Sequence, residues 1–281
     1  MKMATQVTNN LKSLYPDQVF LYTEAVPDAL IANPLVATVA GEIEGDAPRV
    51  RVPYIKTDPT AGFVKEGADI TDGGGELDEV LISTGKIATV VKQSNESASF
   101  ETASQLIAAG VSRSIVTSAD NAFLNNAKSS DAETQNGPVG ILNTDGIPVT
   151  QTTGEGVVDA VADAKAAIGG NGGIPTAVVC NYATEAILRK LKTTEGKGLL
   201  IDPVEAGELS IHGLPVIVNR AMPDKTLLVV SAGEIVAAVG TVNLAVSTDA
   251  LFTSDSLIRR ATWRIGAKVI HANRLAKLTV K

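Results

Sequence analysis

Half of the chain's 12 prolines, Pro16, Pro27, Pro34, Pro48, Pro53 and Pro59, fall within its first 59 residues. Each removes a backbone donor and holds φ close to about −65°, and each pushes the residue before it toward an extended conformation. Apolar stretches such as Val19-Phe20-Leu21-Tyr22 and Leu30-Ile31 are therefore cut too short to build a core of their own. The segment has to lie as an extended arm against some other surface, with room for one short helix near Pro27 to Ala32.

The segment that follows shares this deficit. Residues 61–93 read as a long hairpin, with Phe63 to Ile70 as one side, Asp72-Gly73-Gly74-Gly75 as the tip and the β-branched run Val80 to Val91 as the return strand. A two-stranded ribbon is marginal alone in water, so it needs a partner surface. From Ser97 to Lys128 the period changes. Phe100, Ala103, Ile107, Val111, Ile115, Ala119 and Ala122 recur every three or four residues, one stripe of a helix capped by Ser97 with Glu101 in its first turn. About 30 residues of helix would reach about 45 Å, a spine rather than an ordinary packing helix. The β-branched run Ile115-Val116-Thr117 is its weak point.

A polar loop, Ser129 to Pro138, leads through Val139-Gly140-Ile141-Leu142-Asn143 to an amphipathic helix, Val157 to Ile168, stopped by Gly169-Gly170-Asn171-Gly172-Gly173. A strand at 176–180, a helix at 182–192 and strands near 209–218 and 226–231 complete a compact α/β unit over about 151–232. Beyond it run Ile235 to Val246 and Thr262 to Ile270, the latter alternating apolar and charged positions like a half-buried strand.

Charge separates along the chain. Glu66, Asp69, Asp72, Glu76, Asp78 and Glu79 crowd one stretch without a base, while Arg259, Arg260, Arg264, Lys268, Arg274, Lys277 and Lys281 end the chain without an acid. Either these are two solvated faces, or the acidic stretch of one copy lies on the basic stretch of a neighbour and fixes its register. A net charge of −7 argues against wrapping DNA by neutralising phosphates, so genome contact should be non-specific. The single cysteine, Cys180, lies in the apolar run Thr176-Ala177-Val178-Val179-Cys180 and reads as a buried structural thiol. No signal core follows Met1, and no run reaches the length a membrane helix needs, which points to a cytosolic product.

Candidate chemistry is sparse. His212 and His271 have no metal-ligand spacing, and no nucleophile elbow occurs. Gly169 to Gly173 follows a helix instead of a strand, and Thr194-Glu195-Gly196-Lys197-Gly198 lacks the rest of a phosphate loop. No catalytic residue, cofactor or metal is expected. A soluble α/β enzyme using these turns for a nucleotide is the competing class.

Three segments, taken in order, resemble tailed-bacteriophage major capsid proteins of the Hong Kong 97 (HK97-like) fold. Val64-Lys65-Glu66-Gly67-Ala68 and the return strand Lys86 to Glu96 are similar to that family's extended loop entering its spine helix. Pro138 to Asn143 is similar to the element after that helix. The third segment is Leu191-Lys192 through Glu195-Gly196-Lys197 to Leu199-Leu200-Ile201-Asp202-Pro203, then Gly213-Leu214-Pro215-Val216, Met222-Pro223 and Arg264-Ile265-Gly266 leading to Lys277-Leu278-Thr279. The resemblance implies an α+β fold with an N-terminal arm at 1–58 and an extended β-hairpin loop at 59–95. It further implies a peripheral domain at 96–150 and 233–281, with the spine helix, and an axial α/β domain at 151–232.

In function it implies a major capsid protein forming homo-pentamers and homo-hexamers of an icosahedral shell around double-stranded DNA. The contacts between subunits would run through Lys65, Glu66, Asp69, Asp72, Glu76, Asp78, Glu79, Arg259, Arg260, Arg264 and Lys268. Partners would be further copies, a portal, a separate scaffold protein and a decoration protein, with no membrane. The product would be assembled in the host cytoplasm and reside in the virion. The arm begins almost at Met1, without the charged helical extension of many relatives, so either the scaffold is a separate protein or the sequence is a processed form; Met1-Lys2-Met3 favours the former. Some relatives join subunits by an isopeptide bond; Lys65 is the matching lysine, but no Asn and Glu pair here matches its partners. An encapsulin-type compartment or a gene-transfer particle shares the fold.

Overall fold

The computed structural model describes residues 5–6, 28–43, 49–67, 69–130, 135–191 and 209–281. Most of the arm, Pro27, Ala68, the Thr194 to Gly198 turn and Leu199 to Pro203 lie outside the described residues. In chain order the strands are β1 (Thr5–Gln6), β2 (Thr38–Glu42), β3 (Arg49–Thr57), β4 (Glu76–Ser94), β5 (Val149–Thr152), β6 (Ala177–Cys180), β7 (Ser210–Ile211), β8 (Leu214–Val218), β9 (Thr226–Val230), β10 (Ile235–Val239), β11 (Asn243–Leu251), β12 (Ser256–Val269) and β13 (Ala276–Val280). The helices are α1 (Asn95–Ala98), α2 (Glu101–Asn125), α3 (Val157–Gly170) and α4 (Tyr182–Arg189). A 3-10 turn, Leu30–Ala32, stands where the short helix was expected.

The 19-residue β4 and the 14-residue β12 carry the first sheet, ordered β1-β4-β12-β10-β2, with β3 on β4 and β11 on β12. β4 changes partner midway. Its residues 76–83 pair with β3 and its residues 84–94 with β12, both antiparallel. Glycines permit the close approach at this junction: a Cβ on Gly85 would stand 2.4 Å from Gly137 Cα, and one on Gly266 would stand 2.9 Å from the Ser83 carbonyl.

The ribbon's outgoing side is therefore β3 and not Phe63 to Ile70, which belong to the connection 58–75, without strand structure among its described residues. Pro53 argued against a strand there. It is tolerated because β3 pairs, among the described residues, only with β4, and an edge strand accommodates a proline whose missing donor costs no ladder bond.

The spine helix α2 has 25 residues, about 37 Å long. It begins later than the stripe suggested. The side chain of Ser94 accepts the Ser97 amide at 3.2 Å to cap the single turn α1, Phe100 is extended at φ −87° and ψ 112°, and α2 starts after it. Ser97 is thus buried inside α1 rather than capping the spine. An apolar stripe persists across such a break, so periodicity alone does not reveal it. The helix continues unbroken through Ile115-Val116-Thr117, because Ile115 is buried and packing outweighs a small loss of propensity.

Its end explains the Gly140 to Asn143 element. Asn143 Nδ2 donates to the carbonyls of Asn125 at 2.8 Å and Asn126 at 3.1 Å, while Asn126 Nδ2 donates to the carbonyls of Asn136 and Pro138. Gly140 lies so close that a Cβ there would be 2.5 Å from the Asn126 nitrogen.

The second sheet runs β5-β13-β9-β6-β8-β7. α3 packs Val157, Val161, Ala164 and Ile168 on one face of it, against Val178, Leu227, Val229 and Leu278. The other face, with Val179, Leu228 and Val230, joins Val111, Ile115, Ala119 and Phe123 of α2 and Ala261, Trp263 and Ile265 of β12 in one core. The middle unit therefore shares its core with the spine helix.

The last strand of 233–281 does not join the sheet of its sequence neighbours. β13 pairs with β9 and β5 in the second sheet, burying Ala276, Leu278 and Val280. Neighbouring strands in sequence usually share a sheet, but the 3-10 turn Ala272–Arg274 carries the chain across.

Asp120 ties the spine to its surroundings. It is 5% exposed, and its carboxylate accepts the Leu30 amide and Asn219 Nδ2, both at 2.7 Å. Burial raises its pKa, and the two hydrogen bonds oppose that rise.

Asn143→Ala should cost the dissociated subunit about 1 kcal/mol in urea denaturation. Gly140→Ala should cost more, since backbone must move. A carboxyl raised on folding contributes stability that is complete below its unfolded value and is lost as pH rises through the folded one. Asp120→Asn should therefore flatten the stability profile upward from 3.8, the ordinary value. It should also lower stability near neutral pH by about 1–3 kcal/mol, because Asn219, held by the Ala221 amide on its Oδ1, would face a second amide donor.

Candidate assembly surfaces

The structure divides the acidic stretch in two. Glu76, Asp78 and Glu79 lie on β4 opposite β3, whose bases the sequence grouping had assigned to the arm. Arg51 pairs with Glu79, Lys56 Nζ stands 3.0 Å from Glu76, and the Tyr54 hydroxyl donates to Asp78 at 3.4 Å. The hydrogen bond and charge of Glu76 raise the Lys56 pKa. These pairs are solvent-exposed and fasten the ribbon only weakly, but they engage acids that were candidates for a neighbouring subunit. The alternation Arg49-Val50-Arg51-Val52, with Tyr54 and Lys56 beyond, was the available signal for this strand.

Lys65, Glu66, Asp69 and Asp72 lie in the connection at the ribbon's tip, exposed beside the exposed Phe63 and Ile70. The tip closes at a neck where the amide and hydroxyl of Thr60 both donate to the Gly73 carbonyl at 2.9 Å. A Cβ on Gly73 would stand 2.5 Å from the Thr60 carbonyl, so the neck requires glycine there. Asp72 Oδ1 accepts the Gly74 amide at 3.1 Å and turns the chain.

The basic residues divide by strand alternation. Arg259 faces the spine helix, where Nε donates to Gln93 Oε1 at 3.0 Å and Nη2 to Ser104 Oγ at 3.2 Å, a link within the subunit. Arg260 and Arg264 face outward with Lys86, which lies opposite Arg264 in register, and line a cavity of about 470 Å³ with Leu244 and Trp263. Arg264 Nη1 also donates to Thr84 Oγ1 at 3.0 Å. Lys86 carries no local signal for this site, because only the β4–β12 register brings it there. Lys268, exposed, borders a different hollow with Leu81, Ser83 and Lys128.

Beside the cavity, β11 is exposed along almost its whole length, with Leu244 at 69% and Val246 at 55%. Among the described residues it pairs only with β12, and it carries no lysine, arginine or proline. Isolated proteins protect such edges with these devices; an edge lacking them is a template for another strand.

The remaining candidates have structural roles. Cys180 is buried, and burial, with Glu185 adding to it, pushes its thiol up to about 12. His212, expected on a strand, sits with Gly213 in the tight turn between β7 and β8, both at positive φ. His271 donates through Nδ1 to Glu234 at 2.7 Å. Gly172, at φ +81°, ends α3, and a Cβ on Gly173 would meet Arg274 Cβ at 2.9 Å, so these glycines serve a helix stop and a close contact. No metal-binding group of three or more His, Cys, Asp or Glu side chains occurs among the described residues.

The sequence model of the phage capsid family matches residues 27–280. Among solved structures, the capsid of an empty GTA particle, computed with C5 symmetry, matches at a TM-score of 0.70 and 20% identity over 99% of both chains. A chain of Gordonia phage Cozz matches at 0.71 and 18% identity, over 97% of this chain and 93% of its own. One of Microbacterium phage Oxtober96 matches at 0.71 and 17%, over 97% and 98%. A search of curated protein sequences returns no match.

Proposed function

This chain belongs to the phage capsid family, and we propose that it is the major capsid protein of a tailed-phage head, a structural protein without catalytic activity. Copies assemble as pentamers and hexamers into an icosahedral shell around double-stranded DNA. The observation that carries this reading beyond family membership is the set of surfaces left incomplete in the single chain. These are a protruding ribbon with an apolar, acidic tip, a basic outward cavity and an unprotected sheet edge beside it.

The finer assignments follow the HK97-like plan. Residues 1–58 form the arm, although Arg49–Thr57 acts as the outgoing side of the extended loop at 59–95. The peripheral domain holds 96–150 and 233–281 except for the last strand, which completes the sheet of the axial domain at 151–232. The tip of one copy, with Glu66, Asp69 and Asp72, docks in the neighbour's cavity on Lys86, Arg260 and Arg264. Opposite charge steers this encounter and fixes its register, while Phe63 and Ile70 supply buried apolar area. The ion-paired Glu76 and Glu79 chiefly hold the ribbon together.

A scaffold protein, a portal and a decoration protein complete the partners, and the genome is contacted non-specifically. Assembly takes place in the host cytoplasm. The likeness to the GTA particle capsid over 99% of both chains favours a gene-transfer particle as the second reading; the DNA recovered from purified particles, phage genome or host fragments, separates the two.

Velocity sedimentation of the expressed chain should show shells or capsomers, and a stable nucleotide-binding monomer would overturn the assignment. Reversing Glu66, Asp69 and Asp72 together should lower particle yield on the order of tenfold while the subunit's urea midpoint stays unchanged. Reversing Glu76, Asp78 and Glu79 should instead disturb the ribbon as well, read as faster amide exchange in 49–57. Unchanged yield in the first variant removes the docking assignment.

A further inference from the structure

Two of the connections between the sheets are clasped by one carboxylate. Glu234 lies in the turn from β9 to β10, and His271 and Arg274 lie in the connection from β12 to β13. Glu234 is 8% exposed; its Oε2 accepts His271 Nδ1 and its Oε1 accepts Arg274 Nη1, both at 2.7 Å. The Ile270 amide donates to the Glu234 carbonyl at 2.8 Å, and Arg274 Nε donates to the Asn171 carbonyl at the end of α3 at 2.7 Å. The clasp thus reaches from the first sheet to the helix that covers the second.

The ribbon rests on the same group. Val50, Val52 and Tyr54 pack inward against Val80, Ile82, Val236 and Ile270. The ring of Tyr54 stands edge-on to His271, with centroids 5.7 Å apart and planes at 79°. Tyr54 is the outermost of these seated residues. Beyond it Ile55 is 54% exposed and its register partner Leu77 is 81% exposed, so the ribbon leaves the body at this ring.

We propose that Tyr54 on His271 is a latch that sets the angle at which the ribbon leaves the body and couples that angle to the clasp between the sheets. A ribbon that swings out lifts Tyr54 from the imidazole. His271 then loses the packing that holds it toward Glu234, and a largely buried carboxylate loses a donor. A buried network missing one member is costly, so the seated and released ribbons are two discrete arrangements. A ribbon captured by a second copy would thereby loosen the junction between the sheets of its own subunit. The latch is a property of the single chain and stands independently of the shell reading.

Hydrogen–deuterium exchange on the dissociated subunit tests the coupling in both directions. His271→Ala should speed exchange in 49–57 and 76–83 about fivefold, the effect of losing one aromatic pair, with β6 and β9 unchanged. Tyr54→Ala, on the ribbon, should speed exchange at the Ile270 amide and through 231–235 as well as in the ribbon itself. Tyr54→Phe, which keeps the ring, should leave Ile270 at its original rate. Ribbon exchange unchanged in His271→Ala, or Tyr54→Ala effects confined to 49–57 and 76–83, would overturn the latch. Faster exchange throughout His271→Ala would show a general support of the fold, and would overturn it equally.

Discussion

The alternation of β12 is the constraint on which the rest of the molecule depends. Ala261, Trp263, Ile265, Ala267 and Val269 point under the spine helix and are buried, while Arg260, Arg264 and Lys268 point outward. The first set gives α2 its floor and brings both sheets into one core. The second set, together with Lys86 from the paired strand, makes the outward face basic. A one-residue slip in register would exchange the two faces and lose the core and the charged surface together. Backbone pairing on both sides, with β4 along one edge and β10 and β11 along the other, holds that register.

Around this strand, stability is concentrated in the body and withheld from the ribbon. The body has buried apolar faces, capped helix ends and buried polar groups such as Asp120 whose hydrogen bonds reach distant segments. The ribbon has a seated base, exposed cross-strand ion pairs and a tip closed by a narrow neck. Such a division suits a subunit whose folding and assembly are separate events: the core decides the first, and surfaces left in water decide the second.

Much of this was legible from residue pattern. The stripe from Ala103 through Ala119 located the spine, Gly169 to Gly173 marked the end of α3, and the β-branched run from Val80 located the return strand. Where the sequence reading failed, local signals gave way to partners far along the chain. Pro53 disguised an edge strand that depends on β4. Phe100 broke a helix without breaking its stripe. β13 left its sequence neighbours because the slot between β9 and β5 buries alternate residues that β12 had no free edge to receive. The charged candidates fared unevenly for the same reason. Glu76 and Glu79 met bases from β3, and Arg259 turned inward to Gln93 and Ser104, whereas Arg260 and Arg264 line the cavity with Lys86, Arg264 donating to Thr84 Oγ1.

The sequence by itself located the spine helix, the return strand of the ribbon, α3 and their apolar faces, because periodicity and β-branching are local properties. Only the tertiary structure decided which strand closes the ribbon, which sheet takes the last strand and which acids pair with bases of the same subunit. Those outcomes depend on register and strand pairing between segments far apart in sequence, where one residue of displacement moves a side chain from the core to the surface.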